Sequence, residues 1–547
     1  MVQIKCWMTV RELDYEKNDS IPHTRKERKY SSLCFRNLKS SILTALKAST
    51  DTSFLGDNPA TTETTEDNWN VFTNCTTAAD VASVLSSLGT AKDGAAAKAF
   101  AAIVGANLST TVAGTSTESA SPYTISVTGD GYYFIKDKAD TVPTDTNTDG
   151  TQKVDSATRF MLEVVKDVTA TAKSSTMQSE KKIDKDVNDS TGTTEENKDS
   201  ADYDIGDIIS YTITATLPSN YADYKEYYLK FTDTMSKGLT LNTDSVKIYY
   251  GAADTTGTGI TFTSAASGDN TVYTYEIADL KTVTGASSLT GGSTVTIKYT
   301  ATLNENAKTG VEGNPNTSTV TFNNDPNNSG AGKPTQTTPE DKVVAFTFEV
   351  NVDKIKTDNT ALTGANFALY KLFKDDAALA AANASRASDK QYTKATSIKY
   401  DNGTKDYAIG SEVWALVQEI TVEGSDFDFK GVDDGTYLLV ETKTPDGYNS
   451  VQPMKFEITA THTDGVEPAL SSVTGTDTHG STTTLDPINL GTMTDNKGVE
   501  TDVINNSGSV LPSTGGIGTT IFYILGSLLV LVAGVILVTK RRMGVEK

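Results

Sequence analysis

The sequence predicts a mainly β protein of tandem sandwich domains, with some helix near the N-terminus and one C-terminal transmembrane helix. Beyond residue 120, short runs of alternating apolar and polar residues are separated by turns rich in Gly, Asn, Asp, Ser and Thr, a pattern typical of antiparallel strands. Residues 78–108 instead space their apolar side chains as amphipathic helices do. Residues 521–538 form an uncharged apolar run close to the roughly 20 residues that a membrane-crossing helix needs.

Composition limits the classes of function. The 547 residues suggest three or four domains. The formal net charge of −22 disfavours nucleic acid and anionic lipid as partners, because both bind basic faces. The three histidines, His23, His462 and His479, are far apart, so no paired-histidine metal spacing and no serine–histidine constellation can be drawn from the sequence. We therefore expect no cofactor, no metal site and no enzymatic activity.

Residues 1–37 differ from the rest of the chain. They contain a basic run at 25–29 and two of the three cysteines, Cys6 and Cys34. A protein exported with a C-terminal anchor needs a signal peptide with an apolar core, and this segment has none. We interpret it as a misplaced start or the result of a frameshift, with the signal peptide missing. A genuine basic extension is the alternative.

Residues 38–173 are predicted to form an N-terminal domain in which two short helices within 78–108 are followed by strands. Asp145, Asn147 and Asp149 have the spacing that opens a calcium loop. However, Ser156 stands at the twelfth position, where a bidentate Glu is expected. A polar hairpin loop is therefore the preferred interpretation.

Residues 174–340 and 341–508 are predicted to form a second and a third domain. In the second, the runs at 208–214, 245–250 and 294–299 alternate with period two and are separated by polar, Gly-rich turns. That spacing is typical of an antiparallel sandwich. The third domain begins with the alternating run 346–354.

Strand parity places three polar side chains in the core of the third domain. Lys354 shares a strand face with Val350 and Val352, Glu441 shares one with Leu439, and Asn505 shares one with Val503. A buried amine, carboxyl and carboxamide are the parts of an intramolecular isopeptide bond. Burial would lower the pKa of the Lys354 amine and raise that of Glu441, which could then polarise the Asn505 carbonyl. A buried Lys354–Glu441 salt bridge without reaction is the alternative, and Asn506 lies on the opposite parity.

The second domain repeats this arrangement less clearly. Lys181 and Lys185 share parity with apolar neighbours, and Asp233 shares a face with Leu229 and Phe231. Two asparagines, Asn314 and Asn316, share parity with Val320 and Phe322. We favour Lys181, Asp233 and Asn316, with Lys185 and Asn314 as alternates. No cysteine follows Cys75, so such cross-links would take the place of disulfides in these domains.

The C-terminal range 509–547 resembles the cell-wall sorting signal of Gram-positive surface proteins. It contains Leu511, Pro512, Ser513, Thr514 and Gly515, then the apolar run 521–538, then a basic cluster at 540–542 that should remain cytoplasmic. The resemblance implies that a sortase cleaves after Thr514 and joins its carbonyl to an amine. The chain is then a sortase substrate that is transiently bound to the membrane and finally attached to peptidoglycan in the cell wall.

The domain order resembles that of major, or shaft, pilins assembled by sortases. The phrases 362–370 and 435–448 resemble the B-type domain of collagen adhesins, and 233–239 resembles the acid-bearing strand of Ig-like pilin middle domains. Lys173 follows the first domain where such pilins carry a Tyr-Pro-Lys motif, although Thr-Ala-Lys stands here. By that resemblance, Lys173 is the amine that attacks the sortase-bound Thr514 carbonyl of another subunit.

The resemblance also implies partners. These are a pilus-type and a housekeeping sortase, copies of the same chain joined head to tail, and tip and base pilins. It allows host-surface ligands as well, which the sequence does not identify. A heterologous head-to-tail contact gives an open filament. The alternative function is a monomeric wall-anchored adhesin or minor pilin, which would not need Lys173.

Overall fold

The computed structural model contains three successive β-rich units and a C-terminal helix, which confirms the predicted mainly β fold class. It describes residues 3–8, 30–35, 40–56, 69–88, 94–108, 112–116, 123–128, 131–137, 144–146, 151–157, 159–164, 175–254, 258–478, 490–493, 496–507 and 517–543.

The first unit combines helices with small sheets. Its elements are β1 (Gln3–Met8), β2 (Tyr30–Phe35), α1 (Ser40–Lys47), β3 (Leu55–Gly56), β4 (Trp69–Asn70), α2 (Ala78–Ser87), α3 (Ala95–Ala106), β5 (Gly114–Thr115), β6 (Tyr123–Thr128), β7 (Gly131–Asp137), β8 (Thr144–Thr146), β9 (Gln152–Ser156) and β10 (Arg159–Val164). One sheet has the order β10-β7-β2-β5, and β1 pairs with β6. Thr77 and Asp80 form a capping box at the start of α2. The buried side chains of Leu46, Phe100 and Phe134 join the helices to this sheet.

The second unit is a sandwich of two sheets. Its strands are β11 (Ser175–Asn188), β12 (Thr193–Lys198), β13 (Ser200–Asp202), β14 (Ile208–Thr216), β15 (Leu229–Met235), β16 (Leu239–Tyr250), β17 (Ala253–Asp254), β18 (Thr261–Ser267), β19 (Asn270–Ile277), β20 (Thr294–Leu303), β21 (Asn314–Asn323), β22 (Thr335–Thr337) and β23 (Asp341–Phe346). The eight-stranded sheet has the order β17-β16-β20-β14-β11-β9-β8, with β12 also on β11. The seven-stranded sheet has the order β13-β23-β21-β15-β19-β18, with β22 also on β21. Their facing apolar side chains form one core.

The third unit is a second sandwich. Its elements are β24 (Phe348–Lys356), β25 (Ala365–Phe373), α4 (Asp376–Ala384), β26 (Thr393–Lys394), β27 (Ile398–Tyr400), β28 (Lys405–Tyr407), β29 (Val413–Gly424), β30 (Asp426–Val432), β31 (Gly435–Lys443), β32 (Met454–Thr463), β33 (Ala469–Asp477), β34 (Gly491–Thr492) and β35 (Gly498–Asn505). A sheet of order β30-β24-β35-β34 faces one of order β26-β29-β25-β31-β32-β33. The first and last strands, β24 and β35, are parallel neighbours. At Gly498 a Cβ would meet the Glu349 carbonyl oxygen at 1.8 Å, so the close approach of these strands requires glycine there.

Sheet membership differs from the predicted domain ranges at three places. β1 and β2 both lie within the range 1–37 but pair with β6 and β7 of the first unit. The β8–β9 hairpin, predicted as part of the first domain, pairs with β11 and contributes Val154 to the second core. β23 was expected to open the third domain, yet it belongs to the second sandwich. Apolar alternation runs on from β23 into β24, so parity alone does not reveal the change of sheet at Thr347.

The last element in the described part of the chain is helix α5 (Ile517–Met543). Its apolar side chains from Leu525 to Val538 are exposed. No helix in the described part of the chain is both long enough and apolar enough to cross a membrane. The first four residues of the predicted span, 521–524, lie outside the residues whose side chains are described, and the span stays a prediction.

Candidate cross-link sites

The third sandwich brings Lys354, Glu441 and Asn505 together in its core. Lys354 lies on β24 and Asn505 on the neighbouring β35, while Glu441 lies on β31 of the facing sheet. The side chains of Lys354 and Glu441 are fully buried, and Asn505 is 1% exposed. Strand alternation explains this placement, because each side chain points to the same side as the apolar residues two positions before it.

Hydrogen bonds fix the relative positions of these three groups. Lys354 Nζ lies 3.8 Å from Glu441 Oε1 and donates to the Val503 carbonyl at 2.7 Å, which holds the amine two residues from Asn505 on the same strand. Asn505 Nδ2 donates to Glu441 Oε1 at 2.8 Å. Asn505 Oδ1 is buried without a hydrogen-bond partner. The Glu441 carboxyl thus contacts the Asn505 nitrogen that would leave as ammonia. For Glu441 to polarise the Asn505 carbonyl, as predicted, the amide group would have to rotate by about 180° so that Oδ1 and Nδ2 exchange places.

Burial shifts both titratable groups of this site toward their neutral forms. It lowers the pKa of Lys354 to about 8, with the Glu441 carboxylate opposing the shift. Burial also raises the pKa of Glu441, against the opposing effects of Lys354 and of the hydrogen bond from Asn505. Thr444 Oγ1 and the Val451 amide donate to Glu441 Oε2 at 3.0 and 3.3 Å, which fixes the orientation of the carboxyl. A neutral amine beside a protonatable carboxyl is the state that nucleophilic attack requires.

The second sandwich brings Lys181, Asp233 and Asn316 together. Lys181 lies on β11 of the eight-stranded sheet, and Asp233 and Asn316 lie on β15 and β21 of the other sheet. All three side chains are fully buried. Lys181 Nζ donates to Asp233 Oδ1 at 3.0 Å. Burial lowers the pKa of Lys181, while the Asp233 carboxyl opposes that shift.

Tyr299 on β20 bridges this cluster and was missed by the sequence reasoning. Its hydroxyl accepts from Lys181 Nζ at 2.7 Å and from Asn316 Nδ2 at 2.9 Å. Burial and the interaction with Asp233 raise the pKa of Tyr299 well above its usual value. Tyr211 stacks on Tyr299, with ring centroids 5.4 Å apart, and its hydroxyl has no partner. Parity predicts that Tyr299 points inward with Val295 and Ile297, but not that it meets the lysine.

The alternates occupy other environments. Lys185 is exposed on β11, beyond the buried part of that strand. Asn314 is buried, but its amide donates to the carbonyls of Lys308 and Ala345, and its oxygen accepts from the Lys308 amide. Asn506 is exposed. Geometry therefore favours Lys181 and Asn316 over Lys185 and Asn314.

The predicted polymerisation residues fall in two segments of the chain, one before β11 and the other between β35 and α5. Lys173 lies outside the described residues, as do Leu511, Pro512, Ser513, Thr514 and Gly515. Their roles stay predictions.

A further buried ionic cluster joins the second and third sandwiches. Lys371 of β25 is fully buried, and its ammonium contacts Asp189, Asp204 and Asp433 at 2.8, 2.7 and 2.5 Å. Burial alone would lower the pKa of Lys371, but the three carboxylates outweigh it and raise the pKa well above its usual value. Lys371 shares parity with Phe367 and Leu369, so its burial could have been predicted. Its partners could not, because two of them belong to another domain.

Comparisons with known proteins match parts of this architecture. The SpaA family model, described as a prealbumin-like fold domain, matches residues 348–468, and an LPXTG cell wall anchor motif matches 504–543. The chain is 26% identical over 419 residues to the trypsin-resistant surface T6 protein of Streptococcus pyogenes serotype M6, covering 72% of this chain and 73% of that protein.

Two solved structures were also found to be similar. The T6 backbone pilin of serotype M6 S. pyogenes is 15% identical, with a TM-score of 0.46, over 93% of this chain and 99% of that one. The full-length major pilin SpaD of Corynebacterium diphtheriae is 16% identical, with a TM-score of 0.42, over 93% and 98%. The prealbumin-like match begins at Phe348, the first residue of β24.

Proposed function

We infer that this chain is the shaft subunit of a sortase-assembled pilus, anchored to the cell wall through its C-terminal motif. The observation that carries the proposal is the pair of buried lysine, acid and asparagine clusters, one in each sandwich. Each cluster has the groups of a self-forming isopeptide bond and links strands that lie far apart in the chain. A fibre subunit under tension benefits from such links, because they carry load covalently and are not reduced as disulfides are. The chain acts as substrate and scaffold and has no enzymatic role.

In the third sandwich, Lys354 and Asn505 form the bond. The neutral Nζ attacks Cγ of Asn505, and the new C–N bond replaces the Cγ–Nδ2 bond. Nζ loses a proton and Nδ2 gains one through Glu441, so the nitrogen leaves as ammonia and no other reactant is needed. The fold supplies proximity, which is worth roughly 7–11 kcal/mol of barrier in well-oriented cases.

In the second sandwich, Lys181 and Asn316 form the equivalent bond with Asp233 as the acid. Tyr299 contacts both reacting nitrogens and so holds the amine and the amide on either side of one hydroxyl. The bond would join β11 to β21, a separation of 135 residues (316 − 181). The strands that follow β21, including β23, would remain outside the closed loop.

Polymerisation would use a different lysine. We propose that the Thr514 carbonyl of one subunit is joined to Lys173 of the next and that the last subunit is joined to peptidoglycan. Lys173 precedes β11, and Thr514 lies in the segment between β35 and α5, so the two internal bonds would fall between successive links. Tip and base pilins would occupy the two ends of the resulting filament.

The test of the proposed function is mass spectrometry of trypsin-digested cell wall, searched for branched peptides. A peptide joining Thr514 to Lys173 is expected in wild type and absent from Lys173→Ala, which should also lose its ladder of covalent polymers. Lys185→Ala is the matched control, because Lys185 is an exposed lysine on β11, the strand that follows Lys173 in the chain. If Thr514 is joined only to cell-wall peptide, the chain is a monomeric anchored adhesin and the shaft assignment fails.

A further inference from the structure

A polar cavity of about 440 Å³ lies where the second and third sandwiches meet. Asp186 on β11 and Asp202 on β13 line it from the second sandwich. Asp434, in the turn before β31, and His462 on β32 line it from the third. One ligand atom from each of Asp186, Asp202 and His462 lies within 4.8 Å of the others. This convergence of side chains from two domains is independent of the cross-link sites.

Asp202 gives the second indication of a ligand. Asp202 lines the cavity but is only 5% exposed, and its Oδ2 is buried with no hydrogen-bond partner. A buried carboxylate oxygen without a partner is costly, so a native fold that keeps one needs an explanation such as an ion. In the described part of the chain, no lysine or arginine lies within ion-pairing distance of Asp186 or Asp202.

The nearby ammonium groups are already engaged. Lys198, which also lines the cavity, contacts Asp464 at 2.5 Å and Glu195 at 2.9 Å. Lys371 is held by its own three carboxylates. The cavity therefore holds more carboxyl groups than its own cations neutralise.

His462 is oriented as a ligand. The single hydroxyl proton of Ser200 has two oxygen acceptors within reach, Thr463 O at 3.1 Å and Asp464 Oδ1 at 3.2 Å. With the Ser200 hydroxyl donating to either oxygen, His462 Nδ1, 2.9 Å from Ser200 Oγ, carries the ring proton and donates to that hydroxyl. In that tautomer the neutral ring presents the lone pair of Nε2, which lies 4.0 Å from Asp186 Oδ2. Outer hydrogen bonds of this kind commonly fix metal-binding histidines.

We propose that Asp186, Asp202 and His462 bind a first-row divalent cation such as Zn²⁺, with Asp434 or water completing the coordination. One imidazole with carboxylates suits these cations, whereas Ca²⁺ and Mg²⁺ prefer oxygen ligands only. Because the ligands come from both sandwiches, the cation would fasten the joint between them. Sequence spacing could not reveal the site, since His462 is more than 250 residues from its partners (462 − 202 = 260).

The test is equilibrium dialysis of the full-length chain against Zn²⁺, with thermal unfolding measured in parallel. We expect the wild-type chain to bind one Zn²⁺ at this site. The affinity of the site for Zn²⁺ should fall tenfold or more in both Asp202→Asn and His462→Gln. Asp426→Asn is the matched control, because Asp426 is an exposed acid beside Asp353 and Asp428 on the third sandwich and should change nothing. Zn²⁺ held by the N-terminal cysteines or His23 would persist in every variant and is subtracted in this way.

Melting temperatures measured without metal distinguish a loss of folding stability from a loss of Zn²⁺ binding. Asp202→Asn removes a buried carboxylate, so its melting temperature without metal should match or exceed that of wild type, while the rise caused by Zn²⁺ disappears. Ca²⁺ and Mg²⁺ at the same concentration should not raise the melting temperature of wild type. Equal Zn²⁺ stoichiometry in wild type and in both variants would overturn the proposal, as would equal stabilisation by Ca²⁺. None of these outcomes depends on pilus assembly.

Discussion

The two sandwiches place the same three chemical groups in different geometries. In the third, Lys354 and Asn505 lie on neighbouring parallel strands of one sheet, and the acid reaches across from the facing sheet. In the second, the lysine and the asparagine lie on facing sheets. In the third sandwich the acid contacts the asparagine directly. In the second sandwich a tyrosine lies between the amine and the amide. Burial lowers the pKa of the amine at both sites, whereas the group that contacts the amide nitrogen differs between them.

The largest expected effect comes from removing the acid of the third sandwich. Glu441→Gln should prevent the bond, and the intact mass should then be higher by one retained ammonia. The bond joins Lys354 to Asn505, which are 151 residues apart in the chain (505 − 354). A loop of this order is worth about 5 kcal/mol in the chain-entropy model, so the free energy of unfolding should fall by at least that amount. Glu419→Gln, at an exposed position, should change neither quantity.

The pH dependence of an unreacted third site should show the buried amine. In Asn505→Ala the Lys354 amine stays free, with a folded pKa of about 8 against 10.5 when unfolded. The unfolded chain binds more protons between these values, so stability should rise by about 3 kcal/mol as the pH increases from 8 to 10.5. Urea unfolding of Asn505→Ala and Lys354→Met across this range isolates the effect. Parallel profiles would mean that Lys354 is not desolvated.

Tyr299→Phe tests the feature that separates the second site from the third. The Tyr299 hydroxyl contacts both Lys181 Nζ and Asn316 Nδ2, and losing these two hydrogen bonds costs about 1–3 kcal/mol, at roughly 0.5–1.5 kcal/mol each. The Lys181–Asn316 bond should therefore form about tenfold more slowly, or slower still. The rate is measured from the intact mass at successive times after pulsed cell-free synthesis. Tyr211→Phe is the matched control, since its hydroxyl is unpartnered beside the same lysine. Equal rates in the two variants would remove Tyr299 from the reaction.

The smallest effect is expected at the rejected lysine. Lys185 is exposed, so Lys185→Ala should form both bonds and alter stability by no more than about 0.5 kcal/mol. A retained ammonia in the peptides of the second sandwich would show instead that Lys185 is the reacting amine.

Strand alternation made much of both sites predictable. Lys354, Glu441 and Asn505 each follow apolar residues of one parity, and the structure buries all three. Tyr299 was missed because parity gives the direction of a side chain but not its partner across the sheet. The shift of β8, β9 and β23 into the second sandwich was missed because sheet pairing depends on contacts distant in sequence. The same limit hid the Lys371 cluster and the cavity at the domain junction.

The intact mass of the purified full-length chain tests the central claim most directly. Two closed sites predict a mass lower than that of the sequence by two ammonia molecules, and a deficit of one in either Asp233→Asn or Glu441→Gln. Peptide mapping should then give branched peptides joining Lys181 to Asn316 and Lys354 to Asn505. A mass equal to that of the unmodified sequence would show that both clusters are unreacted buried ion pairs, and the covalent account of this chain would fail.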